Sequence, residues 1–154
     1  MATRGPSRWS WGPATARFCW TGRKRTRCRR RGLTNLRGLR LEAAYVLEWM
    51  IPPESVAALH VYFPDPWPKK RHHKRRLVNA RFVELARRVL APGGAIHLRT
   101  DDAPYFAQME ERFAASPLFR RVETPPDLAA CVTDFERGFV ARGVATRRAS
   151  WRRV

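Results

Sequence analysis

Read for its hydrophobic pattern, the chain changes character at about residue 32. From Met1 to about Arg31 the apolar positions follow neither a period of 2 nor one of 3.6, so neither strand nor helix is predicted there. After Gly32 the pattern becomes regular. Leu36 to Leu41 predicts a short strand, and Ala43, Val46, Leu47 and Met50 fall on one face of a helix that Pro52 and Pro53 stop. Val56 to Phe63 is a nearly continuous apolar run, as a buried parallel strand requires, and it ends abruptly at Pro64. Val78, Phe82, Leu85, Ala86 and Val89, at i, i+4, i+7, i+8 and i+11, predict an amphipathic helix that begins near Leu77 and closes at Pro92-Gly93-Gly94. Ala95 to Arg99 predicts a further strand. Asp101 or Asp102 is placed to cap a helix whose inner face carries Tyr105, Phe106, Met109 and Phe113. Phe119 to Glu123 and Val144 to Trp151 predict two last strands. Strands alternating with helices of about ten residues imply crossover connections and a mostly parallel sheet, an α/β fold.

Composition adds limits to this picture. A chain of 154 residues suits one domain, with residues 1–31 an irregular basic segment and residues 32–154 the folded part. No apolar run reaches the length of about 18 residues needed to cross a bilayer, and no secretory leader is readable. A cytoplasmic protein is expected, with no membrane partner. Cys19, Cys28 and Cys131 are odd in number and lack ligand spacing, so neither a disulfide framework nor a zinc site is predicted. The formal net charge is +18. Of it, +12 precedes Glu42, where there is no acid, and the remaining +6 lies in the octamer Lys69-Lys70-Arg71-His72-His73-Lys74-Arg75-Arg76. A concentrated patch is the footprint expected of phosphate binding, although most such octamers are solvated charge runs. His72 and His73 have no further Cys or His at ligand spacing, so no metal is predicted.

In open α/β sheets ligands bind outside the carboxyl ends of the strands, and three acids fall there: Glu42, Asp65 and Asp101. Asp65 stands out because Pro64 and Pro66 restrict the backbone on both sides of it, and Trp67 offers a flat stacking surface. Taken alone, Pro64-Asp65-Pro66-Trp67 also reads as a rigid turn, Thr100-Asp101-Asp102 as a helix cap, and Thr133 with Glu136 as a capping box.

Together, Phe63 to Arg76, then Thr100-Asp101, then Thr133-Asp134-Phe135-Glu136 resemble the bacterial tRNA guanine-N7 methyltransferase family. The resemblance runs over about residues 32 to 140. It implies a Rossmann-like fold, S-adenosylmethionine as cofactor, tRNA as partner, and methylation of the guanine at position 46 in the variable loop. By matching position it assigns Asp65 to catalysis and to the cofactor, and Glu42 to the cofactor. Lys69, Asp101, Thr133, Asp134, Phe135 and Glu136 are assigned to substrate, and Arg71, His72, His73, Lys74, Arg75 and Arg76 to RNA. The family also carries an early Gly-rich cofactor loop and an acid after its second strand. Neither is readable here, since Gly5, Gly12, Gly22, Gly32 and Gly38 are isolated and no acid precedes Glu42. Residues 1 to about 30 therefore read as an out-of-frame or unrelated segment joined to the C-terminal two-thirds of a methyltransferase. The alternative is a basic RNA-binding protein without catalysis.

Overall fold

A computed structural model describes residues 41–154 together with two short strands, β1 (Arg17–Phe18) and β2 (Leu36–Arg37), which pair in parallel. The basic segment 1–31 otherwise lies outside the described residues, as do residues 38–40 of the strand predicted from Leu36 to Leu41. The main sheet has four strands: β3 (Val56–Tyr62), β4 (Leu90–Thr100), β5 (Phe119–Val122) and β6 (Arg147–Arg153). Their order is β3-β4-β6-β5, with β3 parallel to β4 and with β6 antiparallel to both of its neighbours. β3, β4 and β5 therefore run the same way, and β6 is inserted against them.

Helix α2 (Ala80–Val89) links β3 to β4, and α3 (Ala103–Ala114) links β4 to β5. Both helices cover the same sheet face. Val61, Ile96, Leu98, Ala149 and Trp151 of the sheet join Phe82, Leu85, Ala86, Val89, Tyr105, Met109 and Phe113 in one core, and Phe113 stacks on Trp151 with ring centroids 5.8 Å apart. This matches the predicted inner faces, with Phe106 only partly buried. α2 starts three residues later than predicted, because the Asn79 side chain accepts the Phe82 amide at 3.0 Å and so caps the helix there.

Two further departures have local causes. Glu42 caps a single α turn, α1 (Ala43–Tyr45), that continues as the π-helical segment Val46–Met50. There the Ile51 amide donates to the Val46 carbonyl at 3.2 Å, an i to i+5 bond that widens the turn. Val46, Leu47 and Ile51 are buried as a result, and Met50, predicted on the inner face, is exposed. β4 is longer than the predicted strand because it includes a wide bulge: the register passes from Val56 opposite Leu90 to Ala58 opposite Ala95. Gly94 sits where an added Cβ would lie 2.9 Å from the Ala91 carbonyl and 3.1 Å from those of Val56 and Ala57, so only glycine fits there.

On the other sheet face, α4 (Pro126–Ala130) and α5 (Asp134–Val140) lie over the carboxyl end of β4. No helix among the described residues is long and apolar enough to cross a membrane.

Candidate active site

The carboxyl end of β3 runs directly into Phe63-Pro64-Asp65-Pro66-Trp67. Phe63 and Trp67, on either side of the Pro-Asp-Pro unit, both have positive φ, 52° and 44°. Such backbone conformations cost roughly 1–3 kcal/mol each and persist only where the surroundings impose them.

Those surroundings are visible on both sides. The Phe63 amide donates to the Arg99 carbonyl at 2.8 Å, extending the β3–β4 pairing by one residue. Its ring stacks on Phe139 and meets Phe135 edge-on, with centroids 5.5 and 5.2 Å away. Trp67 lies under the Arg75 guanidinium at 5.2 Å and meets the His72 ring edge-on at 5.7 Å. Asp65 between them is exposed, and its carboxylate makes no hydrogen bond or ion pair among the described residues.

Arg76 closes the loop from beneath. Although last in a basic octamer, it is only 3% exposed. Its Nε donates to the Pro66 carbonyl and one terminal nitrogen donates to Gln108 Oε1, both at 2.7 Å, while the guanidinium lies 4.8 Å above the Tyr105 ring. Gln108 in turn donates to the Val78 carbonyl, and the Tyr105 hydroxyl accepts the Val78 amide. The residue expected to grip RNA is thus a clamp on the backbone beside Asp65, because its partners lie inside the protein. The other charged members, Lys69, Lys70, Arg71, Lys74 and Arg75, are exposed, with His72 and His73 half-buried on the 3-10 helix Lys70–Arg75.

The acids at the other strand ends divide by role. Asp102 is the cap of α3, accepting the Tyr105 amide at 2.7 Å. This leaves the half-buried Asp101 carboxylate without a partner among the described residues. Glu42 is exposed and accepts the amides of Ala44 and Tyr45 at 3.0 and 2.7 Å.

The segment Thr133 to Glu136 does form the capping box, of helix α5. Glu136, expected at substrate, is fully buried. It pairs with Arg99 at 2.9 Å and Arg148 at 2.6 Å and accepts from the Thr146 hydroxyl at 2.7 Å. Burial alone would raise its pKa. The hydrogen bonds from Arg148, Thr146 and the Thr133 amide, with the charge of Arg99, overcome that and hold it at about 2. Asp134 is exposed and pairs with Arg137 at 2.7 Å. Phe135 is 62% exposed and its ring meets Phe63, so the α5 segment stands beside the Asp65 loop.

Residues 20–148 of the chain match a methyltransferase family. The chain belongs to that family. The chain is similar to the tRNA (guanine-N(7)-)-methyltransferase of Chromohalobacter salexigens, 48% identical over 103 residues that cover 67% of this chain and 42% of that protein. Those so named from Streptomyces avermitilis and Bordetella pertussis are 49% and 52% identical over 60% and 57% of this chain and 32% and 35% of their own lengths. The chain thus spans about a third to two fifths of the length of these curated relatives. The methyltransferase fold is shared with an S-adenosylmethionine-dependent O-methyltransferase of Thermotoga maritima. The TM-score is 0.51 at 12% identity, covering 89% of this chain and 49% of that one.

One central residue of the chain is not marked by any motif in its sequence. Arg99 is 2% exposed at the end of β4. It lies 4.5 Å above the Tyr62 ring, donates to the Cys131 carbonyl at 2.7 Å and to the Leu128 carbonyl, and pairs with Glu136. It ties α4 and α5 to the end of the sheet where Asp65 projects. The signal was present, because a charge that ends an apolar strand must find partners if buried.

Proposed function

We propose that this methyltransferase serves the transfer of a methyl group from S-adenosylmethionine to N7 of the guanine at position 46 in the tRNA variable loop, in the cytoplasm. One observation carries the reading: an exposed carboxylate, Asp65, without a partner among the described residues, is held in a strained proline loop at a strand end and is followed at once by exposed basic residues. The residues fit a cationic methyl donor, since Asp65 brings to the end of β3 a carboxylate without a partner among the described residues, and the Glu42 carboxylate is exposed. Glu42 and Asp65 would hold it.

Bound there, S-adenosylmethionine supplies an electrophilic methyl group on a sulfonium centre. Guanine N7 carries an in-plane lone pair, so no residue has to remove a proton before attack. Transfer would break the sulfur–methyl bond as the N7–methyl bond forms, so the positive charge would pass to the guanine ring and the donor would leave as a neutral thioether. Asp65, fixed in advance by its loop, stabilises that charge or holds the base by its N–H edge. Phe135 presents an exposed ring beside the loop. Lys69, Asp101, Thr133 and Asp134 surround the base, while Arg71, His72, His73, Lys74 and Arg75 bind backbone phosphates and orient the RNA. Glu136 acts on the substrate through its neighbours, by fixing α5.

Incubation with tritiated S-adenosylmethionine and an unmodified tRNA transcript should label N7 of one guanine, and absence of label would remove the proposal. A second reading, RNA binding without catalysis, is favoured by one feature: no Gly-rich cofactor loop is readable before Glu42. Calorimetric titration with the cofactor separates the two, since heat of binding is expected only for the first.

A further inference from the structure

Arg120 of β5 and Arg152 of β6 are directly opposite each other in an antiparallel pair. Both are exposed, and neither forms a hydrogen bond or an ion pair among the described residues. Like charges in that position repel and destabilise a sheet. The arginines next to them are satisfied: Arg121 pairs with Glu110 and Arg153 with Glu54. The fold therefore does not use Arg120 and Arg152, and it tolerates their repulsion.

Their setting suits a flat polyanion. Arg152 lies opposite Ala95 on β4, and Ala95 opposite Ala58 on β3, so two short side chains continue the row that the two guanidinium groups begin. The next row on this face holds His60, His97 and Ser150, with Ser150 bonded to His97 at 2.8 Å and to Thr124 at 2.9 Å. The nearby acid is the exposed Asp127 of α4, whose charge reaches His97. From Ala95 to Thr100, five residues of strand separate this pair from the Asp65 end of the sheet, roughly 16 Å at about 3.3 Å per residue.

We infer that Arg120 and Arg152 form a second contact for the RNA backbone, at the opposite end of the sheet from Asp65. The inference rests on the RNA-binding part of the reading above and extends it to a surface remote from the octamer. Two adjacent guanidinium groups match the oxygens of a phosphate in a way that a single lysine does not. Phosphate occupying this position also removes the repulsion that the free protein carries.

The test measures the affinity of the full chain for an unmodified tRNA transcript between about 50 and 200 mM salt, where the slope of log affinity against log salt counts phosphate contacts. R120Q/R152Q should flatten the slope by roughly 1 to 2 and melt no lower than the parent, while R120K/R152K, which keeps the charge, retains the slope. An octamer variant, K70A/R71A/R75A, provides the reference. If it flattens the slope and R120Q/R152Q does not, the second contact is wrong and the RNA reading stands. If neither variant changes the slope, the RNA reading itself fails and the second contact with it. Loss of slope in R120K/R152K as large as in R120Q/R152Q would also overturn the inference, since charge would not be what binds.

Discussion

Asp65 and Arg76 sit on either side of one peptide, and substitution should separate their roles. Asp65 is exposed and bonded to nothing among the described residues, so Asp65→Asn should leave the melting temperature and tRNA affinity unchanged. Turnover should fall by about 10²-fold or more, the usual effect of removing one electrostatic stabiliser of a transition state. A collapse of affinity would instead make Asp65 a structural residue. Arg76 behaves in the opposite way. It is buried and donates to the Pro66 carbonyl and to Gln108, bonds that a lysine cannot make together. Arg76→Lys should cost about 1.5–3 kcal/mol, the value of one hydrogen bond to a charged donor, read by denaturant unfolding. Unchanged stability would show that the loop holds its strained backbone without the clamp.

Helices in which the period of burial equals the period of the backbone, Ala80–Val89 and Ala103–Ala114, were readable from the sequence, and Val56–Tyr62 was readable from its continuous apolar run. The reading failed where the backbone leaves its usual period, at the π-helical Val46–Met50 and at the bulge before Ala95, because neither has a local pattern. The site follows the same rule. The Asp65 loop was legible from its prolines, but the burial of Arg76 depends on Gln108, 32 residues away, and nothing inside a run of like charges marks which one turns inward. At the start of α3, two adjacent aspartates that looked interchangeable differ: Asp102 accepts the Tyr105 amide, and Asp101 has no partner among the described residues. Asp102→Ala removes the cap and should cost about 1 kcal/mol of stability, measured by thermal melting. Asp101→Ala should leave the melt unchanged and lower turnover. Equal destabilisation by both would mean that they share the cap.

At the scale of the whole molecule, stability against acid is concentrated at the junction of β4, β6 and α5. Glu136 has a folded pKa of about 2 against an ordinary value of 4.5. A depressed carboxylate contributes stability that is fully present above its unfolded pKa and is lost as the pH falls from about 4.5 towards 2. His97, 6% exposed on β4, acts at higher pH. Burial, assisted by the charge of Arg99, lowers its pKa below the ordinary 6.5, so the fold favours the neutral ring and loses stability as the pH drops through and below that value. Both groups bind more protons unfolded than folded, and both therefore act in the same direction. Unfolding free energy should accordingly decline in two stages on acidification from pH 7, first with His97 and then with Glu136. Glu136→Gln should abolish the lower stage. At neutral pH it should also cost about 3–5 kcal/mol, because Arg99 and Arg148 are then left without the carboxylate that compensates their charge. Denaturant titrations at a series of pH values check this. If the variant keeps the parent's loss of stability below pH 4.5, the acid sensitivity lies elsewhere in the molecule, and the Arg99–Glu136–Arg148 cluster is not what fastens α5 to the sheet.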